Sequence, residues 1–257
     1  MQCEGERASG DPRAAARHDR AVERHPGIAK QTGQLAGALQ LPRLRVGHQL
    51  VGDIAAAGRF AGRDGSRPVS LLEDTITYLE MLERPARPRV PAPLDKLALM
   101  RAENCTISFY RYLYDTVGEP WLWFERRIID DAELAAQIHR PAIEIFVLHV
   151  RGVPAGYFEL DAAAPRETKL CYFGLIPDFI GRRLGPYLLQ AAIDRAWSRP
   201  IDRLWLHTST FDHPKALGVY QRAGFVVYAR RQVLFEDPRE RGILPPTLGH
   251  RLRLSTA

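Results

Sequence analysis

Apolar residues recur every four positions at Leu184, Leu188, Ala192 and Ala196, with Tyr187 and Ala191 beside them. That spacing predicts an amphipathic helix over residues 185–197. Directly before it, residues 172–176 form a short apolar run closed by Pro177 and Asp178, which predicts a buried strand. Upstream, residues 75–82 are rich in β-branched and aromatic side chains and predict a first strand. A proline-laden linker over 84–93 and a second strand over 97–101 follow. Phe109, Tyr112 and Leu113 at helical spacing predict a helix over 108–117 that stops at Gly118. Asp130 and Asp131 open another helix, with acidic residues where a helix start favours them. Residues 143–150 and 153–160, joined by Arg151-Gly152, read as a β-hairpin, and 169–176 as the strand after it. Beyond the long helix, 203–210 predict a strand. Asp212-His213-Pro214 then start a helix that Gly224 stops, with Asp212 read as its N-cap. Residues 225–235 supply one long or two short final strands. An antiparallel meander followed by strand–helix–strand–helix–strand predicts an α+β (α/β) fold around one central sheet.

Composition separates this ordered part from its flanks. The chain has 257 residues, 46% hydrophobic and 26% charged, ordinary for a globular protein with its own core. Of the formal net charge of +6, residues 1–70 carry +4, with 11 Lys+Arg against 7 Asp+Glu. The remainder is nearly neutral, so a basic stripe for nucleic acid is not expected on the folded part. Residues 1–70 hold a single aromatic, Phe60, and little large apolar area; they are read as a disordered extension or as a basic arm for an acidic partner. Residues 238–257 are read as a loose tail. Cys3, Cys105 and Cys171 are scattered, which predicts neither a zinc site nor a disulfide framework, and Cys171 is read as a small core residue. No apolar run approaches the ~18 residues of a membrane span, and Glu4, Glu6 and Asp11 precede any hydrophobic stretch. A cytoplasmic protein with no metal and no membrane partner is expected.

Between strand and helix, Ile180, Gly181, Arg182, Arg183, Leu184 and Gly185 would place backbone N–H groups and two guanidiniums at a helix N-terminus. Unpaired amides and the positive end of the helix dipole suit an anion such as a pyrophosphate. Two further blocks sharpen this: GYFEL before it, and HPKALGVYQRAGF after it. Together, over residues 72–237, they resemble the GNAT family of N-acetyltransferases. The strand–turn–helix block YFGLIPDFIGRRLGPYLL is similar to the family's acetyl-CoA loop, Q/R-x-x-G-x-G/A. The block HPKALGVYQRAGF is similar to its N-x-x-A-x-x-x-Y-x-x-x-G-F pattern, with Ala216, Tyr220, Gly224 and Phe225 in register. The resemblance implies a central mixed, mostly antiparallel sheet flanked by helices on both faces. It implies acetyl-CoA as acyl donor and transfer to a primary amine by direct attack in a ternary complex. Phe173 and Leu175 would bind the pantetheine arm through their backbone, residues 180–185 the pyrophosphate, and Tyr220 would protonate the departing thiolate.

Three positions depart from that pattern. Arg183 stands where the family has its first loop glycine: it costs strain if φ is positive there, or its guanidinium clamps a phosphate. Arg182 is either a phosphate contact or a solvated charge. Ile180 replaces a polar residue. Lys169 stands where several members carry a glutamate base, and lysine is a poor base at neutral pH unless buried. Glu159, His213, Asp212 and His207 are the candidates to replace it. Glu159 is equally a cross-strand partner of Lys169, and His213 has the pKa, near ~6.5, that suits proton transfer. Tyr110, Tyr112, Tyr114, Trp121 and Trp123 are read as core or as an acceptor pocket. A non-catalytic acyl-CoA sensor and a nucleic-acid binder using residues 1–70 are the competing readings, and assembly as a homodimer is left open.

Overall fold

Arg151 and Gly152 take φ of 52° and 88°, the pair of positive values that a two-residue hairpin turn demands. They join β3 (Ile143–Val150) to β4 (Val153–Asp161), and the predicted hairpin forms two adjacent strands of the sheet, one in from its edge. The computed structural model describes residues 69–248 except 87, 89, 94 and 95. The expected extension therefore lies almost wholly outside the described residues, as do 249–257.

Among the described residues, seven strands form one sheet in the order β2-β3-β4-β5-β6-β1-β7. The remaining strands are β1 (Leu71–Met81), β2 (Leu97–Arg101), β5 (Glu167–Leu175), β6 (Arg203–Thr208) and β7 (Val226–Glu236). Every neighbouring pair is antiparallel except β5 and β6, so the sheet is mixed and mostly antiparallel, as expected. The final strand is one long one, bulged opposite Tyr78 and Leu79. Helices cover both faces. α3 (Leu184–Ala196) and α4 (Ala216–Arg222) pack on one side, where Leu184, Leu188, Ala192 and Ala196 join Phe158, Leu160, Leu204 and Leu206 in one core. α1 (Ile107–Gly118) and α2 (Asp131–Ile138) pack on the other, where Tyr110, Leu113, Leu134 and Ile138 meet Ile143, Ile145 and Tyr157.

Local chemistry sets the helix ends. The Asp130 carboxylate accepts the Glu133 N–H at 2.8 Å, the expected N-cap of α2. Gly118 works differently from expectation. Its φ is −91°, and the chain continues through a 3₁₀ turn, Glu119–Trp121, before Leu122 turns left-handed at φ 58°. Glycine is needed there because a Cβ would run into the Trp123 ring. Asp212 does not cap α4, whose N-cap is Lys215. The supposed tail is also anchored in its first part: Leu244 is buried, and Arg239 binds Asp237 and donates to the Leu248 carbonyl at 3.0 Å.

Candidate active site

β5 and β6 are joined by three register pairs alone, Glu167–Arg203, Thr168–Leu204 and Lys169–Trp205. Beyond them the strands part. The cause is visible on the other edge of β5: Glu159 faces Tyr172 and Leu160 faces Leu170, leaving Cys171 as an extra residue. A bulge of this kind bends its strand and increases the local twist. From Leu170 to Leu175 the edge turned toward β6 therefore has no strand partner. Such a row of amides and carbonyls is a template for an extended ligand. A cavity of about 450 Å³ fills the gap, walled by Cys171, Phe173, Gly174, Leu175, His207 and Ser209 among others. Cys171 is thus half-buried on this wall, not a core residue, and burial pushes its thiol well above the ordinary range. Gly174 lets α1 approach, since a Cβ there would strike Val117.

The predicted anion loop closes one end. Pro177–Phe179 make a 3₁₀ turn, Gly181 takes φ 87°, and Arg183 takes φ 61° and ψ 15° at the N-cap of α3. No side chain caps that helix, so its first-turn N–H groups face outward with the positive end of a 13-residue dipole. Ile180, Gly181, Arg183, Leu184 and Gly185 line the cavity, with Leu184 fully buried beneath. Arg182 does not line it; its guanidinium lies 5.1 Å above the Phe179 ring. Arg183 and Lys215 are the cationic side chains of the wall.

Tyr220 reaches the cavity from α4, 7% exposed, its ring edge-on to Phe173 at 5.9 Å. Burial, with the Asp212 carboxylate, pushes its phenol far above the usual range, so it remains a proton donor. Asp212 accepts from Trp123 Nε1 at 3.0 Å, Thr208 Oγ1 at 2.7 Å and the Ser209 N–H at 2.9 Å; it ties the segment after α1 to the end of β6. His213 lines the cavity against Trp121, ring centroids 5.0 Å apart. Its Nδ1 accepts the Lys215 N–H at 3.0 Å, which leaves no lone pair for a second proton while that bond lasts. Burial and Lys215 also lower its pKa. Glu159 is corrected more sharply. It is 0% exposed and off the cavity wall, bound by Tyr110 Oη at 2.6 Å and Arg126 Nη2 at 3.3 Å. It does not pair with Lys169, which lies opposite Asp161 and over the Trp205 ring. His207 lines the cavity beside Tyr78. Of the aromatics, Tyr114, Trp121 and Trp123 line it, Tyr110 is core, and Tyr112 is exposed.

Residues 108–225 match the model of the acetyltransferase (GNAT) family. That stretch, a little under half of the chain, is similar to this family. Part of it is 40% identical over 86 residues to mycothiol acetyltransferase of Acidothermus cellulolyticus; these are 34% of this chain and 24% of that enzyme. The match thus spans about a quarter of that relative's length. Among solved structures, a conserved protein of unknown function from Staphylococcus epidermidis aligns at 16% identity with a TM-score of 0.47, over 65% of this chain and 63% of that one. A GCN5-related N-acetyltransferase from Sphaerobacter thermophilus aligns at 20% identity with a TM-score of 0.45, over 65% and 51%.

The cavity also uses residues that the sequence reading passed over. Asp74 and Ile76 of β1, Phe124 and Glu125 after α1, Phe211 after β6, and Val233 and Phe235 of β7 all line the cavity. Asp74 is buried and accepts from Ser209 Oγ and from the Thr210 N–H and hydroxyl, pinning β1 to the end of β6. Nothing local marks these positions; the topology gathers them. Among the described residues no group of three or more His, Cys, Asp or Glu could hold a metal ion, and no helix is long and apolar enough to cross a membrane.

Proposed function

We propose that this chain moves an acetyl group from acetyl-CoA to a primary amine by direct attack within a ternary complex. The observation that carries the reading is the parting of β5 and β6 after Lys169 and Trp205, with the α3 N-terminus at one end of the gap. The unpaired edge at Phe173 and Leu175 takes an amide-containing arm as an added strand. Gly181 to Gly185 present amides to a pyrophosphate, and Arg183 adds a cation. Arg182, turned onto Phe179, has no part in the clamp. Acetyl-CoA supplies a thioester. Backbone amides near Phe173 and Leu175 polarise its carbonyl, the amine nitrogen forms the new C–N bond, and the C–S bond breaks. The sulfur takes a proton from Tyr220 Oη, which recovers one from solvent. The surplus proton of the amine leaves by water, because neither Glu159, sealed in the core, nor His213, with Nδ1 engaged, is available to take it.

Incubation with acetyl-CoA and a panel of amines tests this directly. Release of CoA above background with an acetylated product supports it. Tight acetyl-CoA binding with no turnover on any amine would leave the sensor reading instead.

A further inference from the structure

Glu125 is one of three carboxylates on the cavity wall, and the one belonging to an exposed residue; Asp74 and Asp212 are held inside hydrogen-bonded turns. Its position is fixed by its neighbour. The Arg126 N–H donates to Tyr114 Oη at 3.3 Å, and the Arg126 carbonyl accepts from Arg111 Nη1 at 2.9 Å. The Arg126 guanidinium binds the buried Glu159 and lies between the Tyr110 and Tyr172 rings, 5.9 and 5.3 Å from their centroids. So the segment carrying Glu125 is clamped to the floor of the sheet, and Tyr172 Oη, on the bulged strand, donates to Glu125 Oε2 at 3.2 Å. A preset carboxylate beside the parted strands is a receptor for a cation.

The cavity wall that Glu125 shares also carries a set of aromatic rings. Phe124 stacks on Phe235 at 5.7 Å, and Phe211 meets the same ring edge-on at 5.6 Å. Trp121 and Trp123 continue the wall. Ring faces favour stacking with other rings and reject strongly hydrated groups.

We propose that the acceptor is a primary amine carried on an aromatic body, its ammonium group bound by Glu125 and its body by Phe124, Phe211, Phe235 and the two tryptophans. The proposal rests on the acyl-transfer reading for its reaction, but its test does not need turnover.

The full chain is titrated calorimetrically with 2-phenylethylamine and with ethanolamine, both protonated at neutral pH, with CoA present and absent. Acetyl-CoA affinity is measured separately, so a failure of the acyl-transfer reading shows there and not in the amine arm. The expected result is 2-phenylethylamine binding at least about tenfold tighter than ethanolamine. Glu125→Gln should weaken it by about tenfold or more while acetyl-CoA affinity and thermal melting hold. Phe124→Ala should shrink the preference for the aromatic amine and leave ethanolamine unchanged. Equal binding of the two amines, no binding of either, or an unaltered affinity in Glu125→Gln would each overturn the proposal.

Discussion

Arg183 occupies left-handed backbone, φ 61°, at a position where a side chain is costly. An L-residue in that region loses ~1–2 kcal/mol, while glycine in its place would lose ~0.5–1 kcal/mol through the freer unfolded chain. The two nearly cancel, so Arg183→Gly should leave the melting temperature almost unmoved. Acetyl-CoA affinity then reports the guanidinium alone. We expect it to weaken several-fold in equilibrium titration, and more at low salt than at high; tighter binding would mean that the arginine obstructs the loop. Tyr220→Phe tests the proposed proton donor. Its kcat should fall by about 10²-fold or more, with acetyl-CoA affinity kept. Because burial and Asp212 raise the Tyr220 phenol, its loss of a proton should not limit the rate on the alkaline side up to its ordinary pKa near 10. The place of the loop and Tyr220 on one cavity wall was legible in sequence because they sit in contiguous motifs. Glu159 misled because a carboxylate on a strand reads the same whether it faces a cleft or the core. Here Tyr110 of α1 and Arg126 of the segment after it, both far away in sequence, decide it.

At the scale of elements, the cleft depends on two strands that diverge, and something must hold the rest of the sheet firm against the helices. Glu144 of β3 does this. It is 3% exposed and binds Arg195 and Arg199, both at 2.6 Å, and Arg101 at 3.3 Å. Burial alone would raise its pKa, but the two guanidiniums of the α3 end outweigh that and hold it at about 2, from an ordinary 4.5. The folded pKa is depressed, so the stabilisation is full above pH 4.5 and is lost as pH falls toward 2. Its size is at most about 3 kcal/mol, less whatever water screens. Denaturant unfolding from pH 6 to 2 should show this loss in the native chain. Glu144→Gln should be less stable at pH 6 and should lack that part of the acid slope. The bulge at Cys171 had no comparable trace in sequence: it is a property of pairing between β4 and β5, and a one-residue offset leaves no composition behind.

For the whole molecule, the telling feature is where β1 lies. Its residues precede the stretch that matches the family, 108–225, yet it is inserted between β6 and β7. The strand itself could be read from its β-branched run; its place could not, because pairing over more than 120 residues of chain is set by the closed sheet and not by local pattern. β1 pairs along one edge with β6 and along the other with β7, and it brings Asp74 and Ile76 to the cavity wall. The cavity wall is thus assembled from both ends of the described chain. Thr77 tests that dependence. It lies opposite Thr208 on one side and Arg230 on the other, so its N–H points at a strand whichever way it turns. Proline there removes a ladder hydrogen bond in a central strand and should cost ~3 kcal/mol or more. We expect Thr77→Pro to lower the melting temperature sharply and to abolish amine binding along with acetyl-CoA binding, since β6 and the Asp212 tie to Trp123 lose their support. If the variant melted like the native chain and still bound both, the site would stand on residues 108–225 alone, and β1 would be an addition to a cleft already complete.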